Sequence, residues 1–224
     1  MAHSKQSAAA HPSAHASILN EYGWIWLNRD GSPTLLTKDV WDTILGPGAT
    51  GAQRLKHWAY LLAGLTEYWR AGRYHAGVLH FVYLTCSYPG VFTSDHWRDV
   101  EKLELDPDFA DYVGEAFKPL GVYLNFWQPE LRAGARQRFL VSMVNDLDGP
   151  VQGKLTLSIA TTGGRQTVQA DVPFDIAALG QQSYAVTLAL PDTPGDYEVR
   201  AAAVPDKGPA KSPTVSRRLT RIMR

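Results

Sequence analysis

Ser17-Ile18-Leu19-Asn20-Glu21-Tyr22-Gly23-Trp24-Ile25-Trp26 is the stretch on which the reading of this chain turns. Residues 16–19, apolar but for Ser17, predict a short strand, which runs into a polar and aromatic tip. Glu21 stands just past the strand's C-terminal end, with a phenol (Tyr22) and two indoles (Trp24, Trp26) close behind. In a β/α barrel that end of a strand is where catalytic groups are carried. A carboxylate beside a phenol and an indole suits a sugar ring. The carboxylate attacks or protonates, the Tyr22 hydroxyl orients it, and Trp24 stacks on a pyranose face. The competing reading makes Glu21 a strand-end ion-pair partner and places Trp24 and Trp26 in the core.

Working outward, residues 28–33 form an Asn-Arg-Asp-Gly-Ser-Pro turn cluster. Thr37 is expected to cap a short helix over 38–45, which Gly46-Pro47-Gly48 ends. A long helix is expected from Thr50 or Gly51 to about Arg70. Leu55, Trp58, Ala59, Leu62, Leu65 and Trp69 recur at the spacing of one helical face. Residues 77–86 are apolar on both parities and read as a strand buried on both faces, as in a parallel sheet. Strand, helix and strand make one β-α-β unit. Asp95, His96 and Trp97 follow the second strand, on the same side as Glu21 if the strands are parallel, and Tyr83 lies within it. The alternative for residues 95–97 is a helix cap and ordinary surface. A further helix is expected over 107–117, with Phe109, Tyr112, Val113 and Ala116 on one face.

From Leu120 the pattern changes to short alternating runs at 121–127, 136–145, 153–160, 167–174, 182–190 and 196–204. Asp148-Gly149-Pro150, Gly163-Gly164 and residues 191–195 punctuate them. That spacing predicts an immunoglobulin-like β-sandwich. The fold class read here is therefore α/β plus all-β. A flexible segment (1–15) leads into an incomplete (β/α) barrel fragment (16–119), then the sandwich (120–205) and a basic flexible tail (206–224).

Lys plus Arg balances Asp plus Glu at 22 each, so no overall field draws the chain to nucleic acid or an anionic membrane. No apolar run is long enough to span a bilayer, and residues 1–17 lack the apolar core of a signal peptide. Cys86 is the single cysteine, which rules out an intrachain disulfide and multi-Cys zinc sites. His11 and His15 have helical ligand spacing, but Pro12 lies between them and no carboxylate is near. No cofactor or metal is called for, and the compartment is left open.

Asn20-Glu21-Tyr22-Gly23-Trp24, two strand-helix units and a following sandwich together resemble the C-terminal part of family 2 type glycoside hydrolases, the β-galactosidase and β-glucuronidase group. In that family a Glu-Tyr-Gly run ends the seventh barrel strand and holds the nucleophile. The resemblance implies that Glu21 is the nucleophile and that residues 78–86 are the eighth strand. It implies that Tyr22, Trp24, Trp26, Tyr83, Asp95, His96 and Trp97 shape the sugar pocket. A barrel needs eight strands, and the family's acid/base glutamate has no counterpart here; Asp95 and Asp99 do not match its position. The expectation is the C-terminal part of a retaining enzyme, inactive without the missing barrel portion. Its partners would be a carbohydrate, that portion or a second copy. The alternative is a non-catalytic interaction or carbohydrate-binding module.

Overall fold

The opening strand forms two residues later than its apolar run begins. In the computed structural model, which describes residues 15–207 and 212–224, β1 is Ile18–Asn20. Apart from its last residue, the expected flexible N-terminal segment lies outside the described residues. Two helices follow, α1 (Lys38–Leu45) and α2 (Gly51–Gly72). Then β2 (Gly77–Leu79) pairs parallel to β1, with Ile18 opposite Gly77 and Asn20 opposite Leu79. The β-α-β unit is thus present. Thr50 caps α2 reciprocally: the Gln53 N–H donates to its hydroxyl at 3.2 Å and the Thr50 N–H donates to the Gln53 side chain at 2.8 Å.

One expectation fails here. The second strand stops at Leu79 instead of running to residue 86, and it is not buried on both faces. Tyr83 is 73% exposed and Leu84 50% exposed. Among the described residues β1 is the sole ladder partner of β2. Past Leu79, side chains take the carbonyls that a ladder would have taken. Trp26 Nε1 donates to the Phe81 carbonyl, Trp97 Nε1 to that of Tyr83 and an Arg29 Nη2 to that of Thr85. Among the described residues no barrel closes; the unit stands as one parallel pair with helices on it.

A small antiparallel pair, β3 (Trp97–Asp99) and β4 (Glu104–Leu105), leads into α3 (Pro107–Ala116). The Asp106 carboxylate caps α3, accepting from the Phe109 N–H at 2.9 Å. The remaining strands are β5 (Leu120–Leu124), β6 (Glu130–Arg132), β7 (Arg136–Asn145), β8 (Val151–Thr161), β9 (Gln166–Ile176), β10 (Gln181–Ala189), β11 (Gly195–Pro205) and β12 (Thr214–Met223). They form two sheets, ordered β10-β7-β5 and β6-β12-β11-β8-β9. Alternate residues such as Val141, Met143, Leu155, Leu157, Val199 and Ala201 are sealed between them.

The second correction is β12. Residues 206–224 were expected to be a frayed basic tail, but most of them form a strand lying between β11 and β6. Ser216, Arg218, Thr220 and Ile222 are buried on alternate positions. The buried cation has a buried partner. An Arg218 Nη2 donates to the Glu67 carboxylate of α2 at 2.6 Å, and their side chains are 1% and 3% exposed. Ser216 Oγ donates to the same oxygen at 2.6 Å. The Arg218 guanidinium also lies 4.2 Å from the Trp127 ring centroid. Gly64 on α2 lets Trp127 approach, since a Cβ there would sit 2.4 Å from the indole. This joint, together with Arg70 of α2 and Arg73 just past its end, both on Asp146, fixes the helical layer to the sandwich.

Candidate functional site

Glu21 occupies the position the sequence gives it, directly beyond the C-terminal end of β1. Its N–H donates to the Leu79 carbonyl at 2.9 Å, which makes it the last residue held by the parallel pair. Its φ is 71°, a left-handed conformation that few non-glycine residues adopt. Such outliers concentrate at functional positions. Gly23 continues the turn with φ 78°, and a Cβ there would stand 2.6 Å from Leu62 Cδ1. The tip is therefore a tight bend laid on α2, with Glu21 half-buried just past the end of β1.

Tyr22 turns away from that mouth. It is 7% exposed, it packs with Leu62, Ala63, Val113 and Ala116, and its hydroxyl pairs with that of Thr66 at 2.7 Å. Burial pushes the phenol up to about 12, against the opposing pull of the Thr66 hydrogen bond. The bond to Thr66 engages the hydroxyl expected to orient Glu21. Trp24 faces outward, 57% exposed, and stacks parallel on Trp26 with ring centroids 6.3 Å apart. Trp26 is itself buried and supports the exposed ring from beneath. The exposed Tyr83 ring stands edge-on to Trp97 at 5.5 Å.

Asp95 is buried, and its carboxylate is fully engaged. Arg29 grips it in a fork, Nε at 2.9 Å and Nη2 at 2.7 Å, and the N–H groups of Thr85 and Trp97 donate to it. Its geometry is that of a clamp joining the loops after β1 and β2, not of a free acid. Asp95→Ala is expected to cost about 3 kcal/mol, read from urea denaturation. It leaves a guanidinium and two backbone donors unpaired, and partial exposure of Arg29 tempers the loss. Asp95→Asn is expected to cost less.

His96 is sandwiched between Trp58 and Phe109, each ring centroid 3.9 Å away, with His80 at 5.2 Å. Both imidazoles have a buried Nε2 with no hydrogen-bond partner among the described residues. Burial lowers the pKa of both, and His80 adds repulsion at His96. A depressed folded-state value means that the unfolded chain binds more protons below about pH 6.5. Stability is therefore expected to fall as pH drops through 6.5, by up to about 1.4 kcal/mol per pH unit for each imidazole. His96→Phe is expected to flatten that acid limb in a series of denaturation curves at pH 5 to 8.

Sequence reasoning passed over Arg29 and His80. His80 follows Leu79 just as Glu21 follows its register partner Asn20, so the pairing of the two strands puts them at the same level. Arg29 lay in a segment read only as a turn.

No family model matches the chain, and no curated protein matches it. Solved structures match in part. The C-terminal domain of wzt aligns with TM-score 0.35 and 16% identity, over 43% of this chain and 64% of that one. A beta-glucosidase from Listeria innocua aligns with TM-score 0.36 and 13% identity, over 46% of this chain and 16% of that one. A family 123 glycoside hydrolase from Clostridium perfringens aligns with TM-score 0.35 and 12% identity, over 45% of this chain and 23% of that one. In each case the alignment spans less than two thirds of the matched structure's chain.

Proposed function

We propose that this chain carries the nucleophile end of a retaining glycoside hydrolase of the family 2 type. The observation that supports this most is the Glu21 carboxylate at the C-terminal mouth of a parallel β-α-β unit, on a left-handed residue pinned to β2. In this reading Glu21 attacks the anomeric carbon, the glycosidic bond breaks, and a glycosyl-enzyme forms that water then hydrolyses. Trp24, stacked on Trp26, supplies an exposed aromatic platform three residues on, and Tyr83, edge-on to Trp97, supplies a second exposed ring. The Arg29–Asp95 clamp holds the two loops in register. The general acid must stand about 5–5.5 Å from the nucleophile and protonate the leaving oxygen. Asp95 is too fully engaged for that part, so the acid comes from further barrel strands. The sandwich is then an immunoglobulin-like domain following the barrel. The test is turnover of aryl glycosides by the native polypeptide that contains this sequence. Glu21→Gln is expected to lower kcat by roughly 10⁴–10⁶-fold; an unchanged rate refutes the assignment.

A second reading, a non-catalytic interaction module, is favoured by one observation. Ile18 and Leu79 on the open two-stranded sheet are 60% and 55% exposed, beside exposed Tyr83 and Leu84. An uncovered apolar strand face invites pairing with another chain. Stoichiometric complexes without turnover would favour this reading; a stable monomer at high concentration in sedimentation would count against it.

A further inference from the structure

Between the first half of α2, α3 and the β8–β9 hairpin lies a cleft of about 560 Å³. That volume is in the range of small-molecule sites, and the cleft sits where the helical layer meets the sandwich, a usual place for one. It shares no residue with β1, β2 or the loops that follow them. Its walls are of two kinds. Tyr60, Tyr112 and Leu219 form an apolar side, with the tyrosine rings edge to face at 6.3 Å and Leu219 left 43% exposed. Lys56, Thr162 and Glu198 supply hydrogen-bonding groups around it.

The charges of Lys56 and Glu198 oppose each other. His57, also on the wall, is held neutral near pH 7, since burial lowers its pKa. The residues that line the cleft thus carry no net charge to select an anion or a cation. A wholly apolar ligand would strip water from Lys56 and Glu198 without replacing it. What satisfies both sides is a neutral ring with an apolar face and a rim of hydroxyls. We propose that this cleft is a binding site for a neutral saccharide, separate from the Glu21 tip. The ammonium donates to sugar hydroxyls, the Glu198 carboxylate accepts from them, and the tyrosine side packs on the ring.

The test is a titration of the ¹⁵N-labelled chain with lactose, cellobiose and maltose, with glucuronate and a neutral tripeptide as comparators. The expected result is saturable shifts at the amides of Lys56, Thr161, Thr162 and Gly164 with at least one disaccharide. A Kd on the order of 1–10 mM is expected. Lys56→Ala and Glu198→Ala, both away from the core, should each weaken binding by about fivefold. Glu21→Gln should leave it unchanged, which separates this site from the proposed catalytic one. No shifts at these amides up to about 100 mM of any disaccharide, equal binding of glucuronate or tripeptide, or binding that survives both cleft substitutions would overturn the proposal.

Discussion

Glu67→Ala is expected to destabilise the chain by about 3–5 kcal/mol, because it leaves Arg218 charged, buried and without its anion. Burial drives the Glu67 carboxyl upward, while Arg218 and the Ser216 hydroxyl pull it back toward the charged form. The pair joins α2 to β12, elements 151 residues apart in sequence at these positions. Breaking it should therefore loosen the helical layer from the sandwich, beyond the loss of one contact. Urea midpoints give the size of the effect, and amide exchange along α2 and β12 gives its location. The companion variant Glu67→Leu with Arg218→Met removes both charges together. It is expected to recover most of the loss, since an apolar pair of similar volume needs no compensating charge. If the single and double variants fall equally, the pair is not what holds the layers.

Trp58→Ala is expected to cost a comparable amount, about 3–5 kcal/mol. The indole is 1% exposed and packs with Trp26, Leu27 and Trp41 on one side and stacks on His96 on another. Truncation opens a cavity beside Trp26, Leu27 and Trp41 and takes away one of the two aromatic faces that hold His96. Amides of β1, β2 and the loops after them should exchange faster, while those of β7, β8 and β11 in the separate sandwich core should keep their protection. Trp58→Phe is expected to lose much less, because the indole N–H has no partner to forfeit among the described residues. Uniform loss of protection across both halves would show that the chain unfolds as one unit instead.

The parts of the fold that could be read from sequence are those in which a local rule and the tertiary packing agree. α2 starts on the Thr50–Gln53 capping box, and α1 follows Thr37 and ends at Gly46, although the Thr37 hydroxyl donates to the Trp26 carbonyl instead of capping the helix. The turns between sandwich strands carry Gly, Asp and Pro, so β7 falls where alternation puts it. Residues 80–86 misled because an apolar run on both parities implies a strand covered on both faces, whereas among the described residues the pairing ends at Leu79 and Tyr83 and Leu84 are exposed. Their carbonyls are taken by Trp26, Arg29 and Trp97, contacts with no sequence signature. β12 was hidden because its inward positions are Ser216, Arg218 and Thr220, which read as solvated until Glu67 of α2 meets the first two and the Gln128 carbonyl the third. At the site, the position of Glu21 was legible from the strand-to-aromatic transition. The inward turn of Tyr22 was not, since it depends on Thr66 one helix away.

Covalent trapping tests most directly whether Glu21 is the nucleophile. The native polypeptide containing this sequence, captured with an antibody to the β-sandwich, would be incubated with 2-deoxy-2-fluoroglycosyl fluorides. Fluoride leaves without a general acid, so the trap depends on the nucleophile alone. Peptide mass mapping should then find a single fluoroglycosyl adduct on Glu21, absent from Glu21→Gln. An adduct on another carboxylate, one that persists in Glu21→Gln, or no adduct from any sugar of the panel would contradict the account.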